Sequence, residues 1–383
     1  MNTQLVDFFR MNTHKKFLSF ISLSLAIISF ISFPVTSFAS YRFSNFKANP
    51  PIHIYGKVSA SPAGFSPNQI KTAYHLPTSG GKGTIAIISA YDDPTIENDL
   101  NVFSKTYNLP ACTIKNGCFE HHIMTSGTGS NSNWAMETSL DVQWAHAIAP
   151  TAKILLVSAK TPSGTNLLSA IDYVAKRTDV VAISMSFGGA EFSDETTLDN
   201  HFQVSGKTFF ASSGDNGTGV SWPAASPYVV AVGGTSLALT PTGNVISEKA
   251  WPGSGGGVSA YESEPSFQSD YSIPRANGKR SIPDVSYSAD PSFGFSVYKT
   301  TGKTGGWYVV GGTSAGAPQW AAIASLGLSA NNKNFYADKS TTNNEQYFRD
   351  ITTGTNGTCG YFCTARKHYD YVTGLGSPVN YKF

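Results

Sequence analysis

The stretch Gly311-Gly312-Thr313-Ser314-Ala315-Gly316-Ala317-Pro318-Gln319-Trp320 joins a strand-like run to a helix-like run. Trp307–Val310 before it is aromatic and β-branched, whereas Ala321–Leu326 after it is rich in helix formers. A strand-to-helix elbow of small residues lifts one hydroxyl above the sheet and directs it at the positive end of a helix. Ser314 is the hydroxyl that such an elbow would present as a nucleophile. A plain turn is the alternative, since Gly, Thr and Ser favour turns for backbone reasons alone.

Apolar runs of strand length alternate with helical stretches through much of the chain. Strands are predicted at Thr84–Ile88, Lys153–Ala159, Val180–Ser186, Thr208–Ser212 and Tyr228–Val232, and helices at Glu137–Ala149 and Asn166–Lys176. This alternation predicts an α/β fold with a mostly parallel sheet. Residues 240–306 are rich in Gly, Ser and Pro with few periodic runs, so long loops are expected there.

The N-terminal residues have the pattern of an export signal. A basic pair, Lys15-Lys16, precedes an apolar run from Phe17 to Phe33, and small residues follow up to Ala39. This order predicts a signal peptide over residues 1–39 and a protein that is secreted or periplasmic. A membrane anchor is the alternative, because the apolar run is close to spanning length. Residues 40–65 are then an N-terminal extension, and residues 66–383 the main domain.

Composition and charge exclude some classes of partner. Hydrophobic residues make up 40% and charged residues 14% of the 383, which is typical of a globular chain. Removing residues 1–39 leaves 24 basic and 24 acidic residues, a net charge of zero. Without a basic cluster, no nucleic-acid partner is expected. No membrane contact is expected after signal cleavage, and a monomer is expected.

The four cysteines form two local pairs, Cys112 with Cys118 and Cys359 with Cys363. In an exported protein these spacings favour two short-loop disulfides. A zinc site is the alternative. The spacing and the lack of paired histidines nearby argue against zinc.

A serine nucleophile needs a base, which is usually a histidine. None of the eight histidines stands in a His-Gly-Thr helix start. Glu137 and Asp141 are four apart on a predicted helix, so their carboxyls share one face. The neighbours Leu140, Val142 and Trp144 suggest burial, and a buried pair tends to hold one proton between its two carboxyls. One carboxylate could then accept the serine proton while the other orients it. A solvated helix face is the alternative.

A third carboxyl, Asp215, follows a predicted buried strand in the turn Ser213-Gly214-Asp215-Asn216-Gly217. Ligands bind at the carboxyl ends of parallel strands, where this turn, Ser184–Gly189 and the Ser314 elbow are all expected. A protonated Asp215 could donate a hydrogen bond to an oxyanion. The alternative is local hydrogen bonding, which is common for Asp in turns.

Together these stretches resemble the sedolisins, the serine-carboxyl peptidases, in the family's order from about Ser66 to the C-terminus. Supporting matches are Ile87–Pro94, Ser184–Gly189 and Thr373–Pro378. The resemblance implies a subtilisin-like three-layer fold, with helices on both faces of the sheet, and peptide hydrolysis at acid pH. It implies that Ser314 is the nucleophile, Glu137 the base, Asp141 the residue that orients the base, and Asp215 the oxyanion-hole acid. Protein or peptide substrates follow from it.

The resemblance also implies one structural Ca²⁺ ion near the C-terminus. Its ligands would be the carboxylates of Asp350 and Asp370 and the backbone carbonyls of Ile351, Arg366 and His368. Where the family has Gly-x-Gly, this chain has Arg366-Lys367-His368, which lacks glycine's conformational freedom. Two ordinary loop aspartates are the alternative.

Three further alternatives stay open at this level. Sedolisins are usually made with a large folded propeptide, whereas residues 40–65 are too few for an independent domain. Either the chain folds without one, a shorter segment blocks the cleft, or the propeptide lies elsewhere. The activity could use a histidine base on the same fold. The chain could also be a catalytically silent secreted binding protein.

Overall fold

Alternate side chains of strand β2 (Thr84–Ala90) point into two separate hydrophobic cores. Ile85 and Ile87 belong to one core, and Ala86 and Ile88 belong to the other. Successive side chains of a strand face opposite sides of a sheet, and every residue of β2 is buried. The central sheet is therefore covered on both faces.

A computed structural model describes residues 42–337 and 346–383. The predicted signal peptide lies outside the described residues. The helices are α1 (Pro67–Ala73), α2 (Ile96–Thr106), α3 (Ser132–Ile148), α4 (Gly164–Ala175), α5 (Ser266–Tyr271), α6 (Gly316–Gly327) and α7 (Asn332–Phe335). The remaining strands are β1 (His53–Ser59), β3 (Phe119–Ile123), β4 (Lys153–Ala159), β5 (Val180–Met185), β6 (Gly189–Ala190), β7 (Thr208–Ser212), β8 (Ser221–Trp222), β9 (Val229–Leu239), β10 (Val245–Ala250), β11 (Gly257–Ser263), β12 (Lys279–Ile282), β13 (Val285–Ser288), β14 (Phe295–Thr301), β15 (Thr304–Gly311), β16 (Phe348–Arg349) and β17 (Ser377–Pro378).

The central sheet has the order β10-β9-β7-β5-β2-β4-β3, with β13 also paired to β9. The pairs within it are parallel, except for the antiparallel pair of β10 with β9. β2 and β4 stay in register from Thr84 opposite Lys153 to Ala90 opposite Ala159. The predicted mostly parallel sheet is confirmed.

Helices cover the two faces of this sheet. The core that contains Ile85 also contains Leu140 of α3 and Trp320 of α6. The core that contains Ala86 also contains Leu167 and Ile171 of α4. Helix, sheet and helix therefore form three layers, as predicted. Because α3 and α6 lie on the same face, side chains from both helices can meet at one edge of the sheet.

The expectation of long loops over residues 240–306 is wrong. This region contains β10, β11, α5, β12, β13 and β14. β13 joins the central sheet, and β14 pairs with β15 in a separate three-stranded sheet of order β1-β15-β14. These strands carry many polar residues, such as Ser296, Lys299 and Thr300 on β14. Their pairing depends on partners distant in sequence, which local hydrophobic periodicity does not indicate.

One helix cap and two disulfides stabilise local parts of the domain. Ser66 caps α1 by accepting a hydrogen bond from the Gln69 N–H, with Pro67 at the first helical position. The two predicted disulfides, Cys112–Cys118 and Cys359–Cys363, are both present. Cys112 and Cys118 lie near His146, but disulfide sulfurs are not the thiolates that zinc requires.

The described residues belong to one compact unit, Ser40–Phe383. The first described part of this unit, from residue 42 to α1, is largely extended and includes β1. The division between an extension and a main domain at residue 65 stays a prediction. Among the described residues, none of the helices combines the length and the hydropathy that a membrane span requires.

Candidate active site

The predicted nucleophile lies on the elbow between β15 and α6. Ser314 is fully buried in the short 3₁₀ turn Thr313–Ala315, immediately before the first residue of α6. Gly312 before this turn has a φ of 122°, where residues with a side chain are strained. A Cβ at Gly312 would also lie 2.5 Å from Asp215 Oδ2. Glycine at this position therefore lets the elbow approach the loop that carries Asp215.

Helix α3 carries the predicted base, Glu137, and the residue predicted to orient it, Asp141. Asn131 caps this helix by accepting from the N–H groups of Asn133 and Trp134. Ser314 Oγ donates a hydrogen bond of 2.9 Å to Glu137 Oε2. Glu137 is 1% exposed and Asp141 is 0% exposed, so the alternative of a solvated helix face is wrong. The structure thus brings Ser314, Glu137 and Asp141 together.

Glu137 and Asp141 form a coupled carboxyl pair. Burial, followed by the charge of Asp141, raises the pKa of Glu137 well above its ordinary value. Burial also raises the pKa of Asp141, while hydrogen bonds from Ser186 and Glu137 oppose the rise. The second oxygens, Glu137 Oε1 and Asp141 Oδ2, are buried and have no donor among the other described groups. One proton shared between Glu137 and Asp141 gives these two oxygens a hydrogen bond to each other, which two ionised carboxylates cannot form.

Ser186, just beyond the end of β5, connects the pair to the elbow. Its hydroxyl donates to Asp141 Oδ1 at 2.8 Å and also lies 3.2 Å from the backbone oxygen of Ser314. Ser186 is 1% exposed, so water does not compete for these bonds. The hydroxyl therefore fixes the position of Asp141 Oδ1.

Asp215 follows β7 and lies against the elbow, as predicted. Its Oδ1 accepts hydrogen bonds from the N–H and the hydroxyl of Thr313, at 2.8 and 2.7 Å. Its side chain is 5% exposed, and burial raises its pKa, against the lowering effect of His53 and Thr313. The charge of Asp215 in turn contributes to the raised pKa of Glu137. All four predicted residues therefore lie in one buried site.

A residue that the sequence did not indicate also enters this site. His53 Nε2 lies 3.0 Å from Asp215 Oδ2, and the imidazole is 47% exposed. The contact with Asp215 raises the pKa of His53. The histidine that reaches this site thus contacts the predicted oxyanion acid, whereas the hydroxyl of Ser314 is bonded to Glu137.

Asp350 and Asp370, the two carboxylates predicted to bind calcium, both contact the turn of residues 366–368. Asp350 Oδ2 accepts from the His368 N–H at 2.8 Å, and Asp370 Oδ2 accepts from the Arg366 N–H at 3.0 Å. His368 has a φ of 67°, so it takes the conformation that a glycine would take there. Ile351, the remaining predicted ligand, directly follows Asp350 and is buried.

Asp370 is buried in this loop, and burial raises its pKa to about 7. The groups that oppose the rise are neutral donors: the N–H groups of Arg366, Val372 and Thr373 and the hydroxyl of Thr373. A buried carboxylate held only by neutral donors favours a nearby cation. The two carboxylates and the glycine-like turn at His368 fit a hard cation that prefers oxygen ligands.

A model of the subtilase family (peptidase S8) matches residues 119–361, more than half of the chain. The chain belongs to the subtilase family. It is 29% identical to sedolisin of Pseudomonas sp. (strain 101) over 362 residues, covering 82% of this chain and 60% of the relative. It is 31% identical to kumamolisin of Bacillus sp. (strain MN-32) over 358 residues, covering 84% of this chain and 63% of the relative.

A solved structure of Pseudomonas sedolisin, a serine-carboxyl proteinase complexed with two molecules of pseudo-iodotyrostatin, has the same fold. The match has a TM-score of 0.70 at 26% identity and covers 85% of this chain and 96% of that one. The predicted subtilisin-like fold and the resemblance to the sedolisins are confirmed. The chain spans about three fifths of the length of the curated relatives it matches.

Three residues of the site were not predicted as functional. Ser186 and Thr313 lie within stretches that the sequence placed at the ends of strands. The sequence therefore indicated that both residues lie near the site, but it did not indicate which atoms they contact. His53 follows Pro50-Pro51 in an extended segment without periodicity. Only the path of the folded chain brings it to Asp215.

Proposed function

We propose that this chain is an exported serine-carboxyl endopeptidase that hydrolyses peptide bonds in protein or peptide substrates. The observation that carries this proposal is the 2.9 Å hydrogen bond from Ser314 Oγ to Glu137 Oε2, with the Asp141 carboxyl coupled to Glu137. Membership of the subtilase family and the similarity to sedolisin support it.

In the first half of the reaction, Ser314 Oγ attacks the carbonyl carbon of the scissile peptide bond. Its proton passes to Glu137 Oε2, the atom to which it is already hydrogen-bonded. Asp141 orients Glu137 by accepting a hydrogen bond from it. As Oε2 takes the serine proton, the proton shared within the pair moves onto Asp141, so Glu137 carries only one proton at a time. Glu137 then gives the proton to the leaving amine as the C–N bond breaks, which produces an acyl-enzyme and a free amine.

In the second half, water attacks the ester carbonyl and Glu137 accepts its proton. The proton returns to Ser314 Oγ as the C–O bond breaks, so the carboxylic acid is released and the enzyme is restored. In this proposal Asp215 donates a hydrogen bond to the oxyanion in both halves. It can donate only while protonated, because an ionised carboxylate is an acceptor alone.

Acid activity follows from these protonation states. Burial raises the pKa of Asp215, so the neutral acid persists above the ordinary Asp range. Activity should fall as the pH rises through that pKa, because the oxyanion donor is lost. At the acid extreme, a second proton on the Glu137–Asp141 pair removes the base, so activity should fall there too.

The test is hydrolysis of an unfolded protein from about pH 3 to pH 8, a window that brackets carboxyl and histidine titrations. We expect activity confined to the acid side, lowered at least about 10⁴-fold in Ser314→Ala and greatly reduced in Glu137→Gln. Glu97→Gln is the matched control, because this carboxyl on α2 accepts from the Ile114 N–H and makes no contact with Ser314 or Glu137. It should retain wild-type activity.

Two outcomes would replace the proposal. A neutral optimum that survives Glu137→Gln would indicate a different base, such as a histidine. A correctly folded chain without hydrolysis at any pH would favour a secreted binding protein on the same fold.

Export and a monomeric state are part of the proposal. The two disulfides support export, since such bonds persist in oxidising compartments. N-terminal sequencing of the protein recovered outside the cytoplasm should give a start near Ser40. Light scattering of the purified protein should give the mass of one chain.

We also propose one structural Ca²⁺ ion held by the carboxylates of Asp350 and Asp370 and the carbonyl oxygens of Ile351, Arg366 and His368. The convergence of the two aspartates on the 366–368 turn supports it. A bound Ca²⁺ would supply positive charge to a buried carboxylate and tie the turn to the segment after β16. Its role is stability of this loop, outside the chemical steps above.

A further inference from the structure

The loop that follows β7, residues 213–221, lies against a hairpin near the C-terminus. We call this loop the pocket loop, and we call residues 354–365 the C-terminal hairpin. An antiparallel backbone pairing joins the two sides of the hairpin. The disulfide between Cys359 and Cys363 closes its tip. The hairpin is therefore a cross-linked unit that can hold a neighbouring loop in place.

Asn356 in the C-terminal hairpin forms hydrogen bonds to two other segments. Its backbone oxygen accepts from the N–H of Thr218 in the pocket loop at 3.0 Å. Its side-chain amide donates to Ser254 O, between β10 and β11, at 2.7 Å. Asn356 is 4% exposed, so water does not compete for these bonds. One buried residue therefore connects the pocket loop to the segment before β11.

The segment before β11 is itself bonded to the pocket loop. Gly219 and Gly256 exchange two backbone hydrogen bonds of 2.9 and 2.8 Å, and the Gly217 N–H donates to Gly253 O at 2.9 Å. Ser254 lies between these two partners in the sequence. The side-chain hydrogen bond from the hairpin to Ser254 O therefore also supports the pairing that holds the pocket loop.

The pocket loop and the C-terminal hairpin are also in close van der Waals contact. Gly217 has a φ of 74°, and a Cβ at this position would lie 2.6 Å from Asn356 O. Thr218 Oγ1 lies 3.8 Å from Cys359 Sγ, so the disulfide packs against the same loop. The position of the pocket loop thus depends on the backbone and on the cross-link of the hairpin.

The opposite side of the pocket loop lines an open cavity of about 480 Å³. All nine residues of the loop contribute to this cavity, and Asp215 is the one charged residue among them. In the proposed reaction, Asp215 bonds the carbonyl oxygen that is under attack. The side chain of the substrate residue that carries this carbonyl therefore lies nearest to the cavity. The pocket loop bounds the space open to that side chain.

We propose that Asn356 is a positioning residue for substrate binding, which holds the pocket loop at the cavity through its hydrogen bonds to Thr218 and Ser254. This inference rests on the proposed peptidase function of the same site. Asn356 acts on binding of the substrate side chain, because its bonds go to the pocket loop and to the segment that supports it. The substrate residue before the scissile bond is then a bulky neutral one, since the wall contributed by the loop is uncharged apart from Asp215.

The first test needs no catalysis. Backbone hydrogen exchange is measured at Thr218 and Gly219 in the full-length, inactive Ser314→Ala chain. Adding Asn356→Ala should accelerate exchange at both amides at least about tenfold, as for the loss of one buried hydrogen bond. Unchanged exchange at both amides would overturn the inference.

Asn332→Ala is the matched control. The Asn332 side-chain amide donates to Val229 O at 3.0 Å, and Asn332 is 7% exposed, so this variant loses the same kind of buried hydrogen bond. Asn332 lies on α7, and its bond goes to β9 instead of the pocket loop. Exchange at the pocket loop should stay as in the parent chain. Equal acceleration in Asn332→Ala and Asn356→Ala would indicate a general loss of stability and would overturn the inference.

A second variant loosens the hairpin without changing Asn356. Replacing both residues of its disulfide, with Cys359→Ser and Cys363→Ser, removes the cross-link at the tip that contacts Thr218. Exchange at Thr218 should accelerate in this variant as well. Exchange as slow as in the parent chain would contradict the role of the hairpin, even if Asn356→Ala did not fold.

The second test uses the active chain and two peptides that differ only in the residue before the scissile bond, phenylalanine or alanine. Asn356→Ala should raise the KM for the phenylalanine peptide about tenfold with little change in kcat, because ground-state and transition-state binding are weakened equally. The KM for the alanine peptide should change less than about twofold, since a methyl group makes few contacts in the cavity. Asn332→Ala should match wild type with both peptides.

The outcomes separate this inference from the peptidase proposal. Equal KM values in wild type and Asn356→Ala would reject the positioning role and leave the peptidase proposal intact. An equal rise in KM for both peptides, or a fall in kcat alone, would also reject it. Absence of hydrolysis by wild type and all variants, despite faster exchange in Asn356→Ala, would reject the peptidase proposal and with it the substrate role of Asn356.

Discussion

The hydroxyl of Ser186 donates to Asp141 Oδ1 at 2.8 Å, although 45 residues separate the two in the sequence. Asp141 in turn accepts from Glu137, and Glu137 accepts from Ser314. The series of hydrogen bonds that starts at Ser314 therefore includes a fourth residue, Ser186, in addition to the serine and the two acids. Ser186 positions the pair without having to touch substrate.

Ser186→Ala should lower kcat about tenfold, because an acceptor on a buried carboxyl loses its donor. The Ser186 hydrogen bond opposes the rise in the pKa of Asp141, so its loss should raise that pKa further and move the acid limb of the pH profile upward. Both effects are measured from kcat between pH 3 and pH 6. Ser184→Ala is the control, since Ser184 Oγ is buried without a hydrogen-bond partner in the described residues. A pH profile unchanged by Ser186→Ala would contradict the positioning role.

Thr313→Val should extend activity toward neutral pH. The Thr313 hydroxyl donates to Asp215 Oδ1 at 2.7 Å and helps to lower the pKa of Asp215. Without it, Asp215 should stay protonated to a higher pH, moving the alkaline limb of kcat/KM upward by about 0.5 to 1 unit. Thr313→Ser retains the hydroxyl and should keep the wild-type limb. A downward shift in Thr313→Val would show that a different group sets this limb.

Stability should decrease as the pH rises from about 5 to 9. Glu262 on β11 and Glu195 in the 195–201 helical turn are buried acids, and burial raises their pKa values to about 8 and about 9. The native state then holds protons that the unfolded chain has released, so stability is full below the ordinary Glu pKa and is lost as the pH rises through these values. Each kcal/mol lost should lower Tm by roughly 2 °C in a domain of this size.

Glu262→Gln tests this pH dependence directly. The neutral amide should leave Tm at pH 5 nearly unchanged and raise it at pH 8 relative to wild type. Calorimetry at both pH values gives the comparison, with the inactive Ser314→Ala background preventing self-digestion. Glu264→Gln, two residues away and partly exposed, should follow wild type at both. Equal Tm values for wild type at pH 5 and pH 8 would refute the prediction.

Chelation of calcium should lower Tm, and added Ca²⁺ should restore it, because binding to the native state alone stabilises it by mass action. Asp350→Asn and Asp370→Asn should abolish this response, since each removes one of the two carboxylates that face the 366–368 turn. Differential scanning fluorimetry of the Ser314→Ala chain measures the effect without reference to activity. Asp270→Asn, on the exposed face of α5, should respond like wild type. A response retained in both variants would place the ion elsewhere.

Much of the architecture was predictable because it depends on local pattern. The bounds predicted for β4 and β7 match the structure at both ends, since both strands are short, buried apolar runs. The pairing of Glu137 with Asp141 follows from helical spacing alone. Their approach to Ser314 follows from the rule that parallel strands present their sites at one edge.

What the sequence could not predict depends on contacts between distant segments. The strands β10 to β14 are polar and weakly periodic, and partners far along the chain stabilise them. His53 lies 162 residues before Asp215, and no local pattern specifies where an extended segment crosses a domain. The course of such a segment depends on backbone pairing, as of His53 with Gly311 on β15, with strands that form only when the chain folds.

Asn49 pairs its backbone with Gly188, and His53 pairs with Gly311, which bears on what the proposed enzyme could digest. A substrate chain bound by such pairing must offer its own N–H and C=O groups, and in a native protein these groups are already bonded. Intact globular proteins would therefore resist attack, whereas chains opened by acid would expose the necessary backbone. The acidic conditions that protonate Asp215 would then also unfold the substrate protein, so that one pH range suits both the enzyme and its substrate.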